Sequence, residues 1–360
     1  MHTGLHVNGA LFDTEPPGLA SRLVGLRPYQ LGATPYEHPG EPPFVVFAGG
    51  RGLGKTTALL ELRDAYRGHT PLALIDGEDR QFAAPPAERP AESWSPVGQA
   101  LTTAAEQLAE PVKGAGRIGF PRLSSGLLAV TAGGWSTHDV PRLRQEAERI
   151  LLLSRTDSWL SGLDGRWVSK AISKLVTSMS GTRPVVEPII EATLEAFTEG
   201  VAPAHRRLRR AATWYRDYPG AGGSPKLALV LLSRHFRAGG DSRRHAERHL
   251  VRAMLADLDD AYAGVVQRSN RHGRPVLLID NVQEPGGLGL LEPVLRDRAD
   301  GITDQVVFFA ALRGYAHPAL RNAGRLALPE AARETGWRPG ISPSSRALLV
   351  ALPPQAVPGG

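Results

Sequence analysis

The sequence of 360 residues contains no cysteine, which excludes disulfides, zinc fingers and thiol catalysis and fits a reducing compartment. The first 20 residues lack a basic segment followed by an apolar run, so we expect no secretion signal. The longest uncharged apolar stretch, residues 123–137, is too short and too glycine-rich to span a bilayer, and it predicts a buried helix or hairpin. We therefore expect a cytoplasmic protein with no membrane span.

Lysine is also scarce, since only five of the 42 basic residues are lysines and the other 37 are arginines. The net charge of +6 permits contact with nucleic acid or an acidic membrane surface but does not require it. The eleven histidines show no H-E-x-x-H or other metal-binding spacing, so we expect no transition-metal site. No G-x-S-x-G nucleophile motif is present either.

One of the five lysines lies in "FVVFAGGRGLGKTTALLEL", residues 44–62. This segment satisfies the pattern G-x-x-x-x-G-K-[ST], with a short apolar run before it and a helical pattern after it. The pattern predicts a phosphate-binding loop formed by Gly49, Gly50, Arg51, Gly52, Leu53, Gly54, Lys55, Thr56 and Thr57.

Each residue type in this loop has a physical role. Glycines adopt backbone angles that other residues avoid and leave room for phosphate oxygens, while the N–H groups point inward at the positive end of the following helix. The compact ammonium of Lys55 fits a tight loop where a planar guanidinium does not. The Thr56 hydroxyl is a candidate ligand of Mg²⁺, and Thr57 lies beside it.

A carboxylate at the end of a neighbouring strand is needed to hold Mg²⁺. Two strands end suitably, "LALID" at Asp76 and "VLLID" at Asp280. We favour Asp280, because an apolar run followed by Asp is typical of a Walker B strand, and we keep Asp76 as the alternative.

Buried strand patterns alternate with helical ones near residues 44–116 and again after residue 271, which predicts a parallel α/β sheet. Helical periodicity dominates the middle of the chain. We predict an irregular arm at 1–42, a nucleotide-binding core at 43–116 and 271–352, and a mainly helical insertion at 117–270. Residues 353–360 form a tail.

The segments "GGRGLGKTT", "VLLIDNVQE" and "VVFFAALRG" resemble, in this order, the Walker A, Walker B and sensor-1 elements of the AAA+/STAND group of P-loop NTPases. The resemblance covers roughly residues 20–116 and 271–352. It implies a three-layer sandwich with the sheet order 5-1-4-3-2 and a site for ATP and Mg²⁺. Lys55 would bind phosphates, Thr56 and Asp280 would organise Mg²⁺, and Arg313 would approach the γ-phosphate.

The sequence departs from this family at one position that matters for hydrolysis. Many AAA+ enzymes place a glutamate after the Walker B aspartate to polarise the attacking water, whereas this chain has Asn281. Glu284 lies three residues further on and is the candidate substitute. Slow hydrolysis, or none, is the expected consequence. Only 47 residues follow Arg313, too few for the helical lid of this family.

Three functions remain open at this stage. The first is a nucleotide-dependent switch that hydrolyses ATP slowly, and the second is a non-hydrolysing signalling or defence scaffold that oligomerises or binds a protein partner. The third is a nucleic-acid-dependent ATPase using two basic segments, which we favour less because such residues usually form a solvated helix face. These segments contain Arg206, Arg207, Arg209 and Arg210 beside Trp214 and Tyr215, and further along Arg243, Arg244, Arg248 and Arg252. ATP is preferred over GTP because no N-K-x-D motif follows the loop.

Overall fold

The fold was analysed on a computed structural model, which describes residues 9–12, 17–28, 41–87, 89–132, 140–154, 190, 203–263, 271, 273–333 and 337–353. The chain divides into two compact units. The first comprises Met1–Arg80, Glu110–Ala115 and Leu258–Gly360, and the second comprises Gln81–Ala109 and Gly116–Asp257.

The first unit contains a six-stranded sheet in which every pair of neighbouring strands is parallel. Its strands are β1 (Phe44–Gly49), β2 (Leu72–Asp76), β3 (Val276–Asp280), β4 (Val307–Arg313), β5 (Gly324–Ala327) and β6 (Ala347–Ala351). They lie in the order β2-β3-β4-β1-β6-β5. The central strands β1 and β3 are buried along their whole length, as expected of parallel strands covered on both faces.

The named helices of the described residues are α1 (Leu19–Val24), α2 (Lys55–Tyr66), α3 (Pro96–Leu108), α4 (Pro121–Thr131), α5 (Val140–Leu152), α6 (Pro203–Trp214), α7 (Pro225–Ala238), α8 (Gly240–Tyr262), α9 (Pro285–Ala299) and α10 (Leu328–Arg333). Short 3₁₀ turns occur at Arg80–Phe82, Ala91–Ser93, Tyr215–Asp217, Pro318–Leu320 and Pro343–Arg346.

Helices cover both faces of the sheet in the first unit. On one face, the apolar residues of α1, α2 and α10 form a single cluster with alternate residues of the central strands, such as Phe47 and Phe309. On the other face, the Arg298 guanidinium of α9 lies 5.3 Å from the ring of Phe308, which stacks on Phe44. The predicted α/β class with a parallel sheet is therefore confirmed.

The predicted strand order needs a correction. The sequence predicted five strands in the order 5-1-4-3-2, but the sheet has a sixth strand, β5, outside the last one. The strand β5 is only four residues long and partly exposed at the sheet edge, so it lacks the buried apolar run by which the other strands were recognised. The five predicted strands keep the expected mutual order once β5 is left out.

In the second unit, each secondary-structure element given above is an α-helix or a 3₁₀ turn, and none of the six strands lies there. Residues 123–131 of the apolar stretch lie in α4, and every residue of this helix is buried. The carboxylate of Asp257 accepts hydrogen bonds from the backbone N–H groups of Arg122 and Leu123, at 2.9 and 3.0 Å. This buried aspartate therefore satisfies donors that the helix itself leaves open at its first turn.

The unit boundaries differ from the predicted domain boundaries. The sequence assigned residues 43–116 to the core, but Gln81–Ala109 belong to the second unit together with α4 to α7. A helical pattern such as that of α3 does not specify which neighbours the helix packs against. Most of the predicted arm at 1–42, the tail at 354–360 and the ranges 133–139, 155–189, 191–202 and 264–270 of the predicted insertion lie outside the described residues.

Candidate functional site

The predicted phosphate-binding loop joins the end of β1 to the start of α2. Three of its glycines have positive φ angles, 151° at Gly49, 79° at Gly52 and 74° at Gly54. A Cβ atom at Gly49 would lie 2.5 Å from Cδ1 of Leu53, so any other residue there would force the Leu53 side chain to move. Gly54 directly precedes the first residue of α2 and therefore turns the loop into the helix.

The side chain of Lys55 folds back onto the backbone of this loop. Its Nζ donates hydrogen bonds to the carbonyl oxygens of Gly49 and Gly50, at 2.8 and 2.6 Å. Burial lowers the pKa of the Lys55 ammonium, while the carboxylate of Asp280 raises it and the guanidinium of Arg313 lowers it further. The ammonium is thus within electrostatic range of both side chains that the sequence assigned to the same site.

A cavity of about 430 Å³ lies beside the loop. Its lining includes seven of the nine predicted loop residues and the ends of β3 and β4; the residues are Arg51, Gly52, Leu53, Gly54, Lys55, Thr56, Thr57, Glu78, Asp280, Asn281, Ala311, Leu312 and Arg313. Gly49 and Gly50 are absent from this lining, but their carbonyl groups hold Lys55. The fold therefore brings Asp280 and Arg313 to the predicted loop from positions more than 220 residues away in sequence.

The two candidate carboxylates occupy equivalent positions on neighbouring strands. Asp76 and Asp280 are paired in the register of β2 and β3. Asp280 is only 8% exposed and lines the cavity, whereas Asp76 is exposed and does not. Of the two, the geometry favours Asp280 as the partner of the loop.

Asn281 directly follows Asp280, at the position where many AAA+ enzymes have a glutamate. Its backbone is left-handed, with φ of 49°, a conformation that asparagine tolerates better than most residues. Its Nδ2 donates a hydrogen bond to Oδ1 of Asp76, at 3.0 Å. The side chain of Asn281 is therefore engaged with the end of β2, and its amide is not a base.

Glu284, the candidate substitute, does not line the cavity. It precedes α9 at the N-cap position, and its Oε1 accepts a hydrogen bond from Nε2 of Gln283 at 3.4 Å. The Cβ atom of Glu284 packs against Gly77: a side chain at position 77 would place its own Cβ only 2.9 Å from the Cβ of Glu284. The structure thus brings Lys55, Asp280 and Arg313 together and leaves Glu284 outside the group.

Arg313 is the last residue of β4, and its guanidinium forms an ion pair with the carboxylate of Glu78. The backbone N–H of Arg313 donates to Oε1 of Gln283, at 3.1 Å, which fixes the end of the strand. Sequence reasoning did not identify Glu78. The only signal was that β2 ends in a run of acidic residues, "DGED".

The side chains at the cavity fit a magnesium ion better than a softer metal. Oδ1 of Asp280 accepts a hydrogen bond from the N–H of Asn281 at 2.9 Å, and no described group donates to Oδ2. The Thr56 hydroxyl lines the same cavity. Within the described residues, no group of three or more His, Asp or Glu side chains is arranged to hold a metal. Two protein oxygens, completed by phosphate oxygens and water, suit Mg²⁺.

The two basic segments lie on helices of the second unit, where several of their side chains already have partners. Arg243 donates from Nε to the carbonyl oxygen of Phe236 at 2.7 Å, and Arg244 is paired with Asp241. Tyr215 is fully buried and donates its hydroxyl to the carbonyl oxygen of Arg122 at 2.8 Å, so it offers no face for stacking on a base. The side chains of Arg206 and Arg207 are not among those described.

Comparisons of the chain with protein-family models, with curated proteins and with solved structures gave no match. Among the helices that the structure describes, none is both long and apolar enough to cross a lipid bilayer. The assignment of a function therefore depends on the cavity and the residues around it.

Proposed function

We propose that this chain is a P-loop NTPase of the AAA+/STAND type that binds ATP with Mg²⁺ and acts as a nucleotide-dependent switch with slow hydrolysis. The observation that supports the proposal is the convergence of a lysine-containing glycine loop, a buried strand-end aspartate and a strand-end arginine on one cavity of about 430 Å³. Such a cavity offers cations and backbone donors to phosphates on one side and a carboxylate to a metal on the other.

Each residue has a defined task under this proposal. The loop N–H groups and Lys55 would bind the phosphates, and Thr56 and Asp280 would hold Mg²⁺, which when bound would neutralise charge on the phosphates. In hydrolysis, a water oxygen would bond to the γ-phosphorus while the bond from that phosphorus to the bridging oxygen breaks. Lys55 and Arg313 would stabilise the negative charge that develops on these oxygens.

The direct test is the substitution Lys55→Ala, with Lys113→Ala as the matched control on an exposed lysine. A hydrogen bond to a charged group contributes about 1.5–3 kcal/mol, so we expect ATP to bind roughly 10- to 150-fold more weakly to Lys55→Ala. Calorimetric titration with Mg²⁺ and ATP measures the effect, and circular dichroism verifies that the variant is folded. Unchanged affinity in a folded Lys55→Ala protein would contradict the proposal.

A non-hydrolysing scaffold is the second candidate, and one observation favours it. The side chain after Asp280 is an amide held by Asp76, and Glu284 lies outside the cavity, so neither supplies a base there. Steady-state ATPase measurement beside binding calorimetry separates the two functions. Tight binding with no turnover above that of a Lys55→Ala control selects the scaffold. A cytoplasmic location and a protein partner or second copy belong to either version of the proposal.

A further inference from the structure

Arg313 and Glu78 form an ion pair in the lining of the cavity itself. Arg313 ends β4, and Glu78 lies in the turn that follows β2. Their side chains are 44% and 43% exposed, so solvent reaches both groups. The guanidinium that faces the phosphate-binding loop is therefore already engaged by a carboxylate.

The position of Arg313 relative to the loop defines what else could bind it. Arg313 pairs with Gly49 in the register of β4 and β1, and its charge acts on the Lys55 ammonium. A chain of phosphates that starts at the loop amides and passes Lys55 would extend toward this guanidinium. Guanidinium groups bind phosphate and carboxylate with the same donor geometry, so the two anions compete for one site.

We infer that Glu78 is a specificity-determining residue: it occupies Arg313 as an internal anion, and the terminal phosphate of a nucleoside triphosphate displaces it. This inference rests on the function proposed above. A diphosphate lacks the displacing phosphate and leaves the ion pair intact. The preference for triphosphate over diphosphate then depends on how much more strongly Arg313 binds the terminal phosphate than it binds the Glu78 carboxylate.

The exposure of the pair makes this exchange energetically small. Ion pairs between exposed side chains contribute about 0.2–1 kcal/mol, so a charged phosphate with bidentate geometry can replace the carboxylate. Removing the carboxylate while keeping the side-chain shape, as in Glu78→Gln, should leave Arg313 available to the phosphate without competition.

The displaced residue lies in a defined segment of the chain. The backbone N–H of Glu78 donates to Oδ1 of Asp76 at 3.0 Å, and the same oxygen accepts from Asn281. Two residues after Glu78, at Arg80, the first of the three segments of the first unit ends and the chain continues into the second unit. The carboxylate released by a triphosphate thus belongs to the segment through which the chain leaves the nucleotide-binding unit.

The test is a double-mutant cycle on the whole chain, with Glu78→Gln, Arg313→Gln, the double variant and, as the matched control, Glu110→Gln at an exposed carboxylate that does not line the cavity. Calorimetry gives the dissociation constants of AMP-PNP and of ADP, each with Mg²⁺, at low ionic strength where exposed charges are least screened. We expect Glu78→Gln to bind AMP-PNP about two- to fivefold more tightly than the wild type. Its affinity for ADP should be unchanged, and Glu110→Gln should match the wild type with both ligands.

The Arg313→Gln background separates competition from other effects of Glu78. There, adding Glu78→Gln should produce no further gain for AMP-PNP, because the contested arginine is gone. A gain that persists in this background, an equal gain for ADP, no gain, or a weaker affinity for AMP-PNP would each overturn the inference and leave nucleotide binding standing. If the wild type binds neither ligand, both the inference and the proposed function are wrong.

Discussion

The buried ion pair between Arg298 and Asp304 gives a prediction about how the loop-bearing strands are held. Nε and Nη2 of Arg298 donate to the two oxygens of Asp304, each at 2.8 Å, and the side chains are 0% and 3% exposed. The same guanidinium donates to the carbonyl oxygens of Pro42 at 2.8 Å and Val306 at 2.9 Å, which precede β1 and β4. One side chain of α9 therefore fixes the beginnings of the two strands whose ends carry the loop and Arg313.

The expected effect of Arg298→Ala follows from the groups that it leaves without a donor. They are Oδ2 of the buried Asp304 carboxylate and two backbone carbonyls, whereas Oδ1 of Asp304 keeps the N–H of Val306 at 2.9 Å. Breaking a buried ion pair from one side costs about 3–5 kcal/mol. The control is Arg63→Ala, which removes an exposed pair with Asp64 and should cost less than about 1 kcal/mol. Arg298→Lys should fall between the two, because an ammonium cannot reach all these acceptors.

Urea unfolding and hydrogen exchange of the amides in β1 and β4 measure these effects together. We expect Arg298→Ala to lower the free energy of unfolding and to speed exchange in both strands. A destabilisation no larger than that of Arg63→Ala would refute the reasoning, since it would mean that the buried carboxylate is satisfied without its arginine.

Two further predictions concern stability. Burial, with smaller effects of neighbouring cations, lowers the pKa of His249 from 6.5 to about 3. The free energy of unfolding should therefore be unaffected by His249 above pH 6.5 and should fall by up to about 1.4 kcal/mol per pH unit as the pH drops toward 3. His249→Phe should make the melting temperature depend less on pH between pH 7 and 4, and an unchanged pH dependence would contradict this. In α9, a Cβ on Gly287 would lie 2.8 Å from Cα of Val282, so Gly287→Ala should cost about 1–3 kcal/mol in urea unfolding. Gly98→Ala, where the nearest atom would be 3.4 Å away, should show no such loss.

The loop and the strand ends beside it could be located from the sequence because each has a local signal. Glycines with positive φ, a lysine and a following helix are contiguous, and Asp280 and Arg313 each end a run of buried apolar residues. Parallel strands direct their carboxyl ends to one edge of a sheet, so residues far apart in sequence meet there. Their assignment to nucleotide chemistry stays a prediction.

Three features had no comparable signal in the sequence. The strand β5 is short and partly exposed, so it has no buried apolar run. The ion pair between Glu78 and Arg313 depends on how the turn after β2 is placed relative to the end of β4, which side-chain periodicity does not encode. The position of Glu284 outside the cavity depends on where α9 begins, and a count of three residues after Asn281 does not give its direction.

The hydrogen bonds from Lys55 to the carbonyl groups of Gly49 and Gly50 have a thermodynamic consequence for any anion that enters the loop. These two bonds tie the ammonium to the loop backbone, so we expect the loop to keep its shape when an anion binds. Coupled folding and binding shows a large negative heat-capacity change, whereas capture by a preformed loop should show a small one. Under the proposed function, binding would exchange the oxygen partners of the Lys55 ammonium, with phosphate oxygens replacing the two carbonyl oxygens.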